Sequence, residues 1–179
     1  MESIHDGYRL RRVGPEAAGD FYDLIHEVYA QLPDKQLFSV GSIGPEWYEE
    51  TLRDPGFGVI AESPEGELCG LLIVRIPGLN EKNLGRDIGL PDDQLLRVAE
   101  MDTAAVLPAH RGHRLERRML LFAEEELRVS CYRLLMCTVS PYNLPSLKSV
   151  QTLGYEVMTT KEKYGGYLRH VLLKRLPEA

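Results

Sequence analysis

The strongest constraint on the fold is a junction near the middle of the chain, where an apolar segment stops at a proline, turns at a glycine and enters an amphipathic helix. Leu95 to Val106 is rich in apolar residues and reads as a strand that ends at Pro108, because proline cannot donate to a sheet ladder. Ala109-His-Arg-Gly-His-Arg114 follows, and Gly112 permits a tight turn. From Leu115 to Val129 the spacing predicts a helix with Leu115, Met119, Phe122 and Leu127 on one face and Glu124, Glu125 and Arg128 on the other. The first N–H groups of such a helix are unpaired and point back at the turn, which suits an anion. Arg111, His113, Arg114, Arg117 and Arg118 add positive charge at that end. Basic side chains oppose the helix dipole there, so an anion or an acidic neighbour must compensate. A diphosphate is the natural ligand; a solvated basic helix start is the plainer alternative.

The flanking sequence supplies a sheet for this helix to cover. Tyr8 to Val13 alternates as a strand, and Pro15 stands near a helix start that leads to Phe21, Leu24, Ile25, Val28 and Tyr29 at helical spacing. A second helix after Gly44 carries Trp47, Tyr48 and Leu52. Phe57 to Ala61 and Leu68 to Ile76 read as an antiparallel hairpin across Pro64-Glu-Gly66. Pro77 to Asp93 is loop-like with room for a short helical turn. Beyond the junction come a strand from Tyr132 to Val139, a helix from Leu144 to Thr152, and strands from Tyr155 to Thr160 and Tyr167 to Lys174. The order β-α-α-β-β-β-α-β-α-β-β gives a mixed sheet with helices on its faces. With 179 residues and no divider rich in Pro, Gly or Ser, residues 1–179 are expected to form a single domain.

Composition narrows the class of partner. A net charge of -6 disfavours nucleic acid and anionic membrane, which both need a positive field. No apolar run is long enough to span a bilayer, and the opening Met-Glu-Ser-Ile-His-Asp has neither the basic start nor the apolar stretch of a signal peptide. Cys69, Cys131 and Cys137 lack metal-ligand or disulfide spacing and read as thiols in a reducing compartment. A cytoplasmic protein without a metal site is expected, as a monomer or a homodimer. The absence of G-x-x-x-x-G-K-[ST] and G-x-G-x-x-G weakens an ordinary nucleotide-binding reading.

Ala105-Val-Leu-Pro-Ala-His-Arg-Gly-His-Arg-Leu-Glu116 resembles the acyl-CoA-binding motif of the GNAT acetyltransferases, V-x-P-x-x-R-G-x-G-x-G. Asn143-Leu-Pro-Ser146 followed by Leu153-Gly-Tyr155 is similar to a second element of that family at matching spacing. The resemblance implies a GNAT-type fold, a mixed, mostly antiparallel central sheet flanked by helices, and an N-acetyltransferase that carries the acetyl group of acetyl-CoA to a primary amine of a small molecule or peptide. Ala104, Ala105 and Val106 would then present backbone to the pantetheine arm. Arg111, Gly112, His113, Arg114, Leu115, Glu116 and Arg117 would cradle the pyrophosphate, mainly through main-chain N–H groups if the φ angles stay helical. Asn143 and Ser146 would lie along the CoA. Two departures stand out: Arg114 and Glu116 replace glycines of the motif, and Val150 stands where the family often has a tyrosine acting as general acid.

Acetylating an amine requires removal of the ammonium proton and a proton for the departing thiolate. Glu100, on the cofactor strand five residues before Ala105, is the first candidate base, and Asp102 the second. A regular strand would put both carboxylates on one face, where like charges raise a pKa; pairing with Arg75 or Arg97 is the alternative. Tyr142 and Tyr164 are candidate acids, and Cys137 reads as inert core. Phe38, Trp47, Tyr48, Asn80 and Asn83 have recognition potential on the acceptor side. The departures also leave open a catalytically degenerate domain that binds acyl-CoA as a sensor or interaction module.

Overall fold

The computed structural model describes residues 2–38, 40 and 43–178; Met1, read above as the start of the chain, lies outside them. The strands are β1 (Glu2–His5), β2 (Tyr8–Val13), β3 (Phe57–Glu62), β4 (Leu68–Arg75), β5 (Val98–Val106), β6 (Leu134–Val139), β7 (Glu156–Lys163) and β8 (Tyr167–Arg175). They form one sheet in the order β1-β2-β3-β4-β5-β6-β8-β7, antiparallel throughout except for the parallel pair β5 and β6. The helices are α1 (Ala18–Ala30), α2 (Pro45–Thr51), α3 (Asp92–Leu95), α4 (Leu115–Leu127) and α5 (Leu144–Thr152). The expected mixed, mostly antiparallel sheet flanked by helices is therefore present.

Two glycines show how the layers stack. Gly58 pairs with Ile73 and Ala61 with Gly70, so Gly58 and Gly70 face opposite sides of the sheet. A Cβ on Gly58 would fall 2.5 Å from Phe21 of α1, whereas one on Gly70 would fall 3.4 Å from Met119 of α4. Hence α1 covers one face and α4 the other, and at Gly58 only glycine lets α1 sit this close. Phe21, Val59, Leu71, Leu72, Met119 and Ala123 are fully buried between these layers. A smaller cluster of Leu84, Val98, Leu134, Met136, Val171 and Leu173 pins the segment after β4 against the sheet.

Several boundaries differ from those expected, each for a local reason. β1 was not foreseen, although Asp6-Gly7, both at positive φ, forms the two-residue turn that pairs His5 with Tyr8. The expected strand from Leu95 begins only at Val98, because Pro91, Asp92 and Asp93 start the short α3. The expected helix to Val129 stops at Leu127, whose carbonyl accepts the Ser130 hydroxyl at 2.7 Å. Glu124, assigned to the solvent face of that helix, is instead buried and accepts from Lys174 of β8 at 2.5 Å.

The feature that makes a site lies between the parallel strands. β5 and β6 pair only through Val98–Glu100 with Leu134–Met136 and then part. On its other side β5 carries a bulge: Met101 pairs with Val74 and Thr103 with Ile73, leaving Asp102 without a partner in the ladder. A bulge bends its strand and re-aims a side chain. From Asp102 to Val106 the strand therefore shows an unpaired edge to the opening.

Candidate active site

Three cavities run through the parted strands as one cleft. The outer chamber, about 500 Å³, lies at the turn from β5 into α4. The central chamber, about 150 Å³, lies between Met101–Ala104 of β5 and Cys137–Ser140 of β6. The far chamber, about 900 Å³, reaches Trp47 and Tyr48 of α2 and Lys161 and Lys163 of β7. Ala104, Glu116, Asn143 and Ser146 line both outer and central chambers; Asp102, Thr103 and Tyr164 line both central and far ones.

The outer chamber is built from backbone. Gly112 has φ +88° and Arg114, just before α4, has φ +57°. The expectation that the cradle's φ angles would stay helical is thus corrected at Arg114. That residue keeps the left-handed conformation natural to glycine, at a cost of about 1–2 kcal/mol for an L-residue. No side chain caps α4, so its first N–H groups face the turn. Arg111, Arg114 and Arg117 form no ion pair among the described residues, which leaves their charge available to an anion. Arg111, Gly112, Arg114, Leu115 and Glu116 line this chamber together with Ala104, Ala105 and Val106. His113 and Arg117 do not: the His113 ring lies 4.9 Å from that of Tyr8, and neither side chain borders a chamber. Their place in the cradle is limited to main-chain N–H groups.

Asn143 and Ser146 border the cleft, but each is also engaged within the protein. Asn143 Oδ1 accepts from the Ser146 N–H at 3.3 Å, capping α5. Ser146 Oγ donates to Glu116 at 2.6 Å, tying α5 to the first turn of α4. Burial pushes the Glu116 carboxyl above its ordinary pKa, against the pull of hydrogen bonds from Ser146 and Ser149. Glu116 thus sets a carboxyl at the passage between the outer and central chambers. Val150, 3% exposed, lines the central chamber and offers no proton donor.

At the other end, side chains from distant segments converge. Arg75 binds both candidate bases: Nη2 donates to Glu100 Oε2, and Nε lies 3.4 Å from Asp102 Oδ1. Arg97 instead pairs with Glu178. Glu100 Oε1 accepts the Leu84 N–H at 2.8 Å, and the side chain is 1% exposed and borders no chamber. Both oxygens of Glu100 are thus engaged within the protein, and the carboxyl is set back from the cleft that Asp102 borders. Burial first, and the charge of Asp102 only after it, pushes the Glu100 carboxyl up to about 7, against Arg75 and the Leu84 N–H. Asp102, released from the ladder by the bulge, does face the cleft. It accepts from Thr103 Oγ1 at 3.0 Å, and burial raises its pKa against the pull of Arg75.

Of the two candidate acids, Tyr142 is 63% exposed and borders only the outer chamber. Tyr164, 50% exposed as a residue, reaches the central chamber, where its hydroxyl is hydrogen-bonded to that of Thr138 at 3.0 Å. Burial pushes the Tyr164 phenol up to about 12, so it carries its proton at neutral pH. It sits at φ +53° beside Gly165 and Gly166, in the turn that folds β7 onto β8. Cys137 also borders the central chamber, but burial pushes its thiol far up and it is inert as a nucleophile. Trp47, Tyr48 and Phe38 line the far chamber. Asn80 and Asn83 do not: Asn83 is buried and bonds to Gly78 and Leu95 carbonyls, and Asn80 accepts from the Lys82 N–H. Thr138 and Arg169 were missed, because nothing in their local pattern separates them from ordinary strand residues.

With this geometry in hand, comparison with known proteins is informative. A sequence model of the acetyltransferase (GNAT) family matches residues 20–155. No curated protein matches the sequence. Among solved structures, a GCN5-related N-acetyltransferase from Kribbella flavida superposes with TM-score 0.71 at 15% identity, covering 96% of this chain and 99% of that one. The yncA protein of Salmonella typhimurium, solved with its cofactor acetyl-CoA, gives 0.70 at 16% identity, covering 95% and 94%. Ribosomal-protein-S5-alanine acetyltransferase from Vibrio fischeri gives 0.68 at 13%, covering 98% and 96%. At these identities the likeness is one of fold.

Proposed function

The chain belongs to the acetyltransferase (GNAT) family, and from that premise we propose that it transfers the acetyl group of acetyl-CoA to a primary amine. The observation that carries this reading is the cleft itself. It runs without a break from an uncapped, arginine-flanked helix start to a carboxylate and a tyrosine, through the gap between β5 and β6.

In this reading the N–H groups after Gly112, with Arg111 and Arg114, hold the diphosphate, for which the paired positive-φ residues form a concave nest. The free edge of Ala104, Ala105 and Val106 offers main-chain groups to an amide-containing arm, as a strand edge does. Acetyl-CoA supplies an activated thioester. Asp102 meets the acceptor ammonium in the central chamber and takes its proton; a pKa raised above the ordinary carboxylate value brings it nearer that of the amine. Tyr164 holds a proton at its hydroxyl and can donate it to the departing sulfur, replacing the acid that Val150 cannot provide. Glu100 acts behind the site by fixing Arg75, which in turn orients Asp102. The buried thiols of Cys69 and Cys137 suit a reducing, cytoplasmic setting.

Incubation with acetyl-CoA and a panel of amines, followed by free-thiol release, tests the reading alongside calorimetry of acetyl-CoA binding. Failure to bind acetyl-CoA would overturn it. Binding without thiol release on any amine would instead favour an acyl-CoA-binding module without turnover, the reading to which Val150 lends weight.

A further inference from the structure

Arg169 of β8 is 3% exposed and lines the central chamber. Its Nη1 donates to the Leu168 carbonyl at 2.9 Å, but its Nη2 is buried without any hydrogen-bond partner among the described residues. No described carboxylate pairs with it; its neighbours are the rings of Tyr164 and Tyr167, with centroids 5.9 and 5.4 Å from the guanidinium carbon. The contrast with the equally buried Arg133 is instructive. That guanidinium donates to the carbonyls of Leu127, Tyr132 and Arg128, leaves only its Nε without a partner among the described residues, and borders no chamber. Arg133 ties loops together, whereas Arg169 lines the central chamber and keeps a whole terminal nitrogen without a partner among the described residues. A buried charge without a partner is strongly unfavourable, so its counter-charge is expected to arrive from outside.

A guanidinium fork matches the planar geometry of a carboxylate, as it also matches a phosphate. The same small chamber is lined by Asp102 and, at its passage to the outer chamber, by Glu116, so it presents one guanidinium and two carboxyl groups to whatever occupies it. The pairing of Arg169 with Asp102 complements a zwitterion. The carboxylate could come from the acceptor or from an acyl group bearing its own carboxylate. Tyr164 and Tyr167, which contact Arg169, both line the far chamber and neither lines the outer one, which puts the guanidinium on the acceptor side.

We propose that the acceptor is a free amino acid, with its ammonium at Asp102, its carboxylate on Arg169 and its side chain in the far chamber beside Trp47 and Phe38. This rests on the acetyl-transfer reading and narrows it to a substrate class. Arg169 is a specificity residue in this scheme. It selects the free acid over the corresponding carboxamide or decarboxylated amine.

The test compares kcat/KM for free amino acids, their amides and the matching amines in the native chain, in Arg169→Gln and in Arg169→Lys. The acid should exceed its amide by about 10- to 100-fold, the scale of a charge-assisted hydrogen bond. The ratio should fall toward one in Arg169→Gln and partly survive in Arg169→Lys. Because each ratio is taken within one preparation, loss of folded protein cancels. Amides and amines that match the acids in the native chain would overturn the proposal. So would an Arg169-dependent preference for succinyl-CoA over acetyl-CoA, which would assign the carboxylate to the donor. If acetyl-CoA binds but no acceptor releases thiol, the transfer reading fails by itself. Calorimetry of amino acids on the CoA-saturated chain then decides: binding that favours the acid and weakens about tenfold in Arg169→Gln supports the assignment, and equal binding of acid and amide overturns it.

Discussion

The two ends of the cleft are built from different materials. The outer end is formed largely by one continuous segment, 104–117, whose polar side chains are exposed or half-buried and in which Arg111, Arg114 and Arg117 form no ion pair among the described residues. At the acceptor end, Arg75 from β4, Asp102 from β5, Thr138 from β6, Tyr164 from the β7–β8 turn and Arg169 from β8 meet from separate parts of the chain. The outer end tolerates Arg114 and Glu116 in place of glycines, because a backbone N–H does not depend on the side chain attached to it. The acceptor end has no such freedom. In the proposed mechanism its chemistry rests on single functional groups, Asp102 and Tyr164, whose surroundings raise their pKa values.

If that contrast holds, the largest effect of a single substitution should come from the acceptor end. Asp102→Asn should lower kcat by about 10²–10⁴-fold at neutral pH, the usual worth of a general base. The native rate should rise with pH through the raised pKa of Asp102, since only the ionised carboxylate accepts a proton. The variant should lose that limb and recover as the free amine forms unaided at high pH. Glu100→Gln should stay within about tenfold of the native rate, since a residue acting through Arg75 contributes less than the base itself. A Glu100→Gln loss as deep as that of Asp102→Asn would return the base role to Glu100.

A double charge reversal at the outer end should be milder and should act on binding. Arg111→Glu with Arg114→Glu should weaken acetyl-CoA by about 10- to 100-fold in calorimetry, mainly as a change in KM. An unchanged affinity would break the assignment of this end to the diphosphate.

Glu116 sits where the two ends meet and should show a smaller effect of opposite sign. Its carboxyl has a raised pKa, so it is neutral at low pH and charges as pH rises. Acetyl-CoA affinity of the native chain should therefore decline with rising pH through that range. Glu116→Gln should bind up to about tenfold tighter at high pH and flatten the profile. The smallest change is expected for Asn143→Ala, which removes a helix cap worth about 1 kcal/mol. A melting temperature lower by about 2–4 °C should accompany it. A fall in melting temperature with no change in acetyl-CoA affinity would reduce Asn143 to its capping role.

Much of this was readable along the chain, and the misses have identifiable causes. The outer end was found because a strand, a proline, a glycine and a helix start occur in one run, and backbone chemistry follows from local order. Glu100 and Asp102 were found as a pair, but that Asp102 rather than Glu100 borders the cleft depends on a bulge opposite Ile73 and Val74 that no local pattern announces. The Leu84 N–H that engages Glu100 belongs to a segment that read simply as loop. Glu124 looked like a surface residue because its partner, Lys174, lies fifty positions away. Arg169 had no signal at all: an arginine in an alternating strand is ordinarily solvent-facing, whereas here it is 3% exposed, with the rings of Tyr164 and Tyr167 beside it.

By itself, then, the sequence determined the sheet with its covering helices, the glycine-containing turn into α4 and the family. All three rest on periodicity, proline and glycine, which act through neighbours a few residues apart. The tertiary structure decided which carboxylate faces the cleft, which tyrosine reaches the central chamber and where a guanidinium keeps a nitrogen without a partner among the described residues. Those outcomes depend on burial and on charges brought together from distant segments. Burial and pairing are properties of the packed molecule, and they exist only once β5 and β6 have parted and β7 and β8 have folded back beside them.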